Sequence, residues 1–158
     1  MKELVRGLLN NNDVKAFILA GKALFSVENI ETGNHLTFKV EKKEYSKEEK
    51  EHAEDTGYRL PEIYFVKYCT QYEIFSYLGL IRDGEFSSTK NSPSEDSTSF
   101  RGFEYIFNHY IKSNDHDLRL EFYHEGRCAY CGRVMTDPES VKRGFGPTCY
   151  QRAKERLV

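Results

Sequence analysis

Two periodicities organise the chain. From Lys22 to Lys43, "KALFSVENIETGNHLTFKVEKK" places an apolar residue at every second position: Ala23, Phe25 and Val27 on one arm, Leu36, Phe38 and Val40 on the other, with "ETGN" between them. A period of two is that of a half-buried strand, so the stretch predicts a β-hairpin. "EIYFVKYCT" and "YEIFSYLGLIRDGEF" read as two further strands, rich in aromatic and β-branched residues, and "LRLEFYH" as a fifth. Elsewhere the period is helical. Leu4, Leu8, Leu9, Val14, Phe17 and Ile18 give a broken helical stripe over residues 2–20, with Asp13 as cap of a second short helix and Gly21 as its end. Phe100, Phe103, Phe107, Tyr110 and Ile111 share one face of a helix near 97–112, which follows the polar loop "SSTKNSPSEDSTS" and is broken by "SNDHD". Between the hairpin and the third strand, "EYSKEEKEHAEDTG" carries six acids against two lysines, the composition of a solvated helix or a mobile loop. The expected fold class is α+β: an antiparallel, largely meandering sheet with packed helices, a body over residues 1–123 and a small C-terminal module over 124–158.

Composition narrows the function. The core is aromatic, with eleven Tyr, eleven Phe and no Trp, and the net charge of −2 fits neither a polybasic nucleic-acid binder nor an acidic mimic of DNA. No window approaches the ~18 apolar residues of a membrane span. The opening "MKELVRGLLNNNDVKAF" has neither the apolar core nor the small-residue cleavage site of a signal peptide, so a cytoplasmic location is expected. Disulfides are rare in that compartment, and clustered cysteines there more often hold metal.

Three of the four cysteines fall in "RCAYCGRVMTDPESVKRGFGPTC". Cys128 and Cys131 are spaced C-x-x-C, which brings two thiolates onto one ion in a tight turn, and Gly132 supplies the positive φ such a turn uses. Cys149 follows after seventeen residues, a gap that suits a second half-site. "TDPES" has the form of a helix start, with Thr136 or Asp137 at the cap and Pro138 at the first position, and Gly144 ends that helix. Pro147 opens a last helix, "PTCYQRAKERL", with Cys149 in its first turn, where the helix dipole favours a thiolate. His124, four residues before Cys128, is the expected fourth ligand; Cys69, in an apolar strand, is its rival. A Cys3His set closes a tetrahedral shell, so the expected cofactor is a structural zinc ion.

The string C-x-x-C-G-R, then T-D-P-E-S, then G-x-G-P-x-C, closely resembles a cassette at the C-terminus of many small phage and prophage proteins of a domain family of unassigned function. In that family an aromatic αβ body also comes first, and a His-bearing H-E-G-R-C stretch leads into the cassette. The close match spans His124 to Cys149; Met135 stands where the family often has Leu, a volume-tolerant exchange. Small phage-borne zinc proteins of this build resemble anti-CRISPR proteins, which inhibit the RNA-guided DNA nuclease of type II-A systems. The resemblance implies a stoichiometric protein binder that blocks guide or target-DNA loading. The acidic run Glu44–Asp55 could engage the positively charged channels through which such nucleases take up nucleic acid.

A direct nucleic-acid-binding zinc module is the alternative. Seven basic residues (Arg127, Arg133, Lys142, Arg143, Arg152, Lys154, Arg156) stand against three acids from Arg127 to Arg156, with Tyr130, Phe145 and Tyr150 interleaved. Basic charge with aromatics serves phosphate contact and base stacking. No enzyme is expected: the deaminase pattern H-x-E with P-C-x-x-C is absent, as is H-E-x-x-H, and Asp115, His116 and Asp117 read as a polar turn.

Overall fold

The structure is a computed structural model and describes residues 7–71 and 74–156. Its centre is a seven-stranded antiparallel sheet in the order β1 (Gly7–Leu8), β7 (Leu120–His124), β2 (Lys22–Asn29), β3 (His35–Lys42), β4 (Ile63–Gln71), β5 (Ile74–Arg82), β6 (Glu85–Ser87). The predicted hairpin is β2 (Lys22–Asn29) and β3 (His35–Lys42), closed by a turn in which Gly33 has φ +77°. β4 (Ile63–Gln71) and β5 (Ile74–Arg82) continue the meander. β7 (Leu120–His124) does not extend it. The strand returns to the start of the meander and pairs with β2, Val27 opposite Phe122. β1 (Gly7–Leu8) then pairs with the outer side of β7.

Two expectations need correction. The first part of the broken stripe is not helical where it is described: Gly7–Leu8 is strand and a single 3-10 turn spans Asn11–Asp13, while the expected second short helix is α1, Val14–Ile18. Leu4 lies outside the described residues. Asp13 occupies the cap position of α1 without a side-chain capping bond; its carboxylate instead accepts from the Tyr150 hydroxyl at 3.0 Å. Second, "YEIFSYLGLIRDGEF" is two strands. Asp83 and Gly84 both adopt positive φ, +48° and +85°, and turn the chain into β6 (Glu85–Ser87). Positive φ at both central residues is the geometry of a two-residue hairpin, and Asp-Gly favours it.

The acidic stretch is folded. Helix α2 (Lys47–Thr56) starts at Ser46, whose hydroxyl accepts from Glu49 N–H while the Glu49 carboxylate accepts from Ser46 N–H, and it ends at Gly57 with φ +71°. The phenylalanine stripe also forms as expected. Helix α3 (Thr98–Ile106) is capped by Ser97 and continues as one wider π turn over Phe107–Ile111, marked by a hydrogen bond from Lys112 N–H to the Phe107 carbonyl. The wider turn keeps Phe107 and Tyr110 on the same buried side as Phe100 and Phe103.

Helices cover one sheet face. Ala23, Phe25, Val27, Phe38, Val40, Val66 and Phe122 point into the core there, with Phe17 and Ile18 of α1 and the α3 stripe packed over them. Aromatic rings run through it without a break: Phe86 to Phe103 (4.8 Å between centroids), Phe103 to Phe38 (5.4 Å), Phe38 to Phe25 (5.8 Å) and Phe25 to Phe17 (6.3 Å). Phe17 then meets Phe145 at 5.8 Å, so the core continues into the C-terminal segment.

Candidate metal centre

β7 delivers the chain to the centre, and a tight hairpin follows. Gly126 turns at φ +88°, and Arg127 forms an isolated antiparallel bridge with Val134. Inside it, Cys128 N–H donates to the Arg133 carbonyl at 2.9 Å and Gly132 N–H to the Cys128 carbonyl at 2.8 Å, with Gly132 at φ +80°. Helix α4 (Pro138–Arg143) is capped by Asp137, whose carboxylate accepts from Ser140 N–H at 3.1 Å. Gly144 ends it at φ +81° against Leu9 and Phe17, where an added Cβ would lie 2.8 Å from both side chains. Helix α5 (Pro147–Arg156) then carries Cys149 in its first turn.

These elements converge on sulfur. The Sγ atoms of Cys128, Cys131 and Cys149 all lie within 4.8 Å of one another, Cys128 buried and the other two half-buried. Gly146 N–H donates to Cys128 Sγ at 3.3 Å, a contact that favours thiolate over thiol. Burial and the neighbouring sulfurs push the Cys149 thiol up to about 12. Burial also raises Cys131, but the Arg133 backbone N–H and the Cys128 and Cys149 thiols outweigh it and hold Cys131 below its ordinary value. Three soft donors at this spacing can hold a metal ion, whose positive charge would displace the remaining protons.

His124, the expected fourth ligand, is not in the grouping that the three thiols form among the described residues, and its ring nitrogens have other partners. The ring is fully buried between β1 and α4. Its Nδ1 accepts from Gly126 N–H at 3.0 Å, and its Nε2 hydrogen-bonds the Val141 carbonyl. Those partners require the proton on Nε2, so both nitrogens are committed. Burial pushes its pKa below the ordinary value and keeps it neutral. Gly7 explains the close fit: a Cβ there would overlap the imidazole and approach the Val141 carbonyl at 2.7 Å. Glu125, the next residue, reaches Ser26 Oγ–H at 2.7 Å across β2. The rival ligand Cys69 is on β4, its thiol donating to the Gln71 carbonyl at 2.8 Å, apart from the cluster.

The aromatics of the segment are engaged internally. Phe145 is buried, and Tyr150 packs edge-on against it at 5.6 Å. Arg143 and Lys154 stand 5.3 and 4.6 Å from the Tyr150 ring centroid.

Reading the sequence missed a second feature. Asp117 is not part of a loose polar turn. Its Oδ1 accepts from Arg119 N–H and Nε–H at 3.0 Å each, and its Oδ2 from Arg119 Nη2 at 2.8 Å and the Tyr105 hydroxyl at 2.6 Å. The Arg119 guanidinium holds the Asp117 carboxyl well below the usual carboxylate range, and the bond to Asp117 raises the Tyr105 hydroxyl. The trio edges a cleft of about 750 Å³ walled by Val27, Leu36, Ile106 and Leu120. Asp-x-Arg was the visible signal; that Tyr105 on α3 joins it needs the fold.

A family of unknown function (DUF6011) matches residues 119–154, the segment holding β7, the hairpin and α4 through most of α5. No curated protein and no solved structure matches the chain.

Proposed function

We propose that the protein is a stoichiometric inhibitor that binds an RNA-guided DNA nuclease of the type II-A kind, inside a bacterial cell, and blocks guide or target-DNA loading without catalysis of its own. The observation that carries this reading is α2. It is a capped helix whose residues are all exposed except Ala53, and it presents Glu48, Glu49, Glu51, Glu54 and Asp55 from one rigid element. The two connections that flank it are joined by the Tyr45 hydroxyl, which donates to the Pro61 carbonyl at 2.5 Å. A preformed acidic helix complements a positively charged nucleic-acid channel better than a flexible loop, because less backbone freedom is lost on docking. Zinc in the thiol cluster is part of the proposal. Thiolate donors select zinc over magnesium or calcium, and the ion supports the C-terminal segment against unfolding.

The nucleic-acid reading draws on the basic surface of α4 and α5. Tyr150 is poorly placed for base stacking, since Arg143 and Lys154 stand over its ring and its hydroxyl is bound to Asp13. The test is a pull-down and DNA-cleavage assay with a type II-A nuclease, run beside naked RNA and DNA at two salt concentrations. Wild-type protein should bind the nuclease and abolish cleavage. Replacing Glu48, Glu49, Glu51 and Glu54 together with Gln should weaken that binding at least tenfold with zinc content unchanged; Gln at 49 still completes the cap. Undiminished inhibition by the Gln variant removes α2 from the mechanism. Absence of nuclease binding, with salt-sensitive binding to naked nucleic acid, replaces the inhibitor with the nucleic-acid module.

A further inference from the structure

Three thiols cover three corners of a tetrahedral ion, and with His124 committed elsewhere the fourth corner needs another donor. The three cysteines border a cavity of about 290 Å³, and its wall also holds Arg133, Asp137, Ser140 and Thr148. Asp137 is the one carboxylate on that wall. The cap orients it: Oδ2 accepts from Ser140 N–H at 3.1 Å and Ser140 Oγ–H at 3.3 Å, and neither bond uses Oδ1. Ser140 is buried, so this side of the carboxylate is fixed from behind. Carboxylate oxygen is an ordinary donor to zinc. A carboxylate added to three thiolates leaves the centre anionic, and Arg133 on the same wall offsets that charge.

We propose that Asp137 is the fourth donor of the metal centre, with Oδ1 on the ion while Oδ2 keeps capping α4. Asp137 stands outside the grouping of atoms within 4.8 Å, so ligation needs its side chain to turn toward the sulfurs across the cavity they share. The arrangement joins the hairpin, the start of α4 and the start of α5 at one point. It rests on the thiol cluster holding a metal.

The experiment is competition for zinc between the full-length chain and a chromophoric chelator, with the zinc content of the wild type measured first. The variants are Asp137→Asn, Asp137→Ser and His124→Gln. Asn and Ser both cap helices well, so α4 should persist, which far-UV circular dichroism of the zinc-free proteins checks. Both Asp137 variants should bind zinc roughly 10–100-fold more weakly, and His124→Gln as tightly as wild type. Wild-type affinity in both Asp137 variants overturns the assignment. A wild type that takes up no zinc overturns the metal reading of the thiol cluster itself.

Discussion

His124 serves the protein as a neutral ring. It joins the Gly126 N–H to the Val141 carbonyl through the middle of the C-terminal segment, and Gly7 leaves room for it. The pH consequence has a definite sign. The unfolded chain takes up a proton near the ordinary 6.5, and the folded chain resists it because burial lowers the pKa. As pH falls, the unfolded state binds more protons than the folded one. The stability tied to this ring is therefore complete above about pH 6.5 and lost progressively below it. Denaturant unfolding of zinc-free protein across this range should show that loss in wild type. His124→Gln, which still offers a donor to Val141, should lack it; an equal decline in both would place the acid sensitivity elsewhere.

Capping and turn residues decide individual elements. α2 buries only Ala53, so packing contributes little and the ends of the helix matter most. Ser46→Ala removes the hydroxyl that satisfies the Glu49 N–H and should cost about 1 kcal/mol of local stability. Hydrogen exchange should report faster opening across 47–56 with the rest of the sheet unchanged. Wild-type protection there would mean that tertiary contacts, not the cap, hold the helix. β6 shows the opposite balance. The Asp83–Gly84 turn folds a three-residue strand back so that Phe86 reaches Phe100 and Phe103, at 5.0 and 4.8 Å. Three aromatic rings anchor what is otherwise a short edge strand.

The whole molecule is tied together by its aromatic rings, which lead from Phe86 through the sheet to Phe17, Phe145 and Tyr150. A second tie is backbone, from Lys22 N–H to the Ala129 carbonyl at 2.7 Å. Loss of metal at the thiol cluster should therefore reach the sheet. Chelation should lower the midpoint of a single cooperative thermal transition, followed both by tyrosine absorbance and by far-UV signal. Two separate transitions, with the larger unmoved by chelator, would show that the C-terminal segment unfolds alone. No helix among the described residues is long and apolar enough to cross a membrane.

Local patterns in the sequence determined much of this. Period-two alternation placed β2 and β3, the phenylalanine spacing placed α3, and C-x-x-C-G with G-P-x-C placed three thiols that do converge. Each depends on neighbours within a few residues, or on cysteine chemistry that tolerates a variable gap. Only the tertiary structure decided the rest. Whether His124 faces the sulfurs depends on Val141, seventeen residues away, and on the absence of a side chain at Gly7, in a strand that pairs with β7 only once the sheet has formed. The return of β7 to β2 is likewise a choice among sheet edges, made by the burial of Phe122 and Tyr110 together, 4.7 Å apart. A run of residues specifies which face of a strand is apolar; which partner covers that face is settled by packing between distant segments.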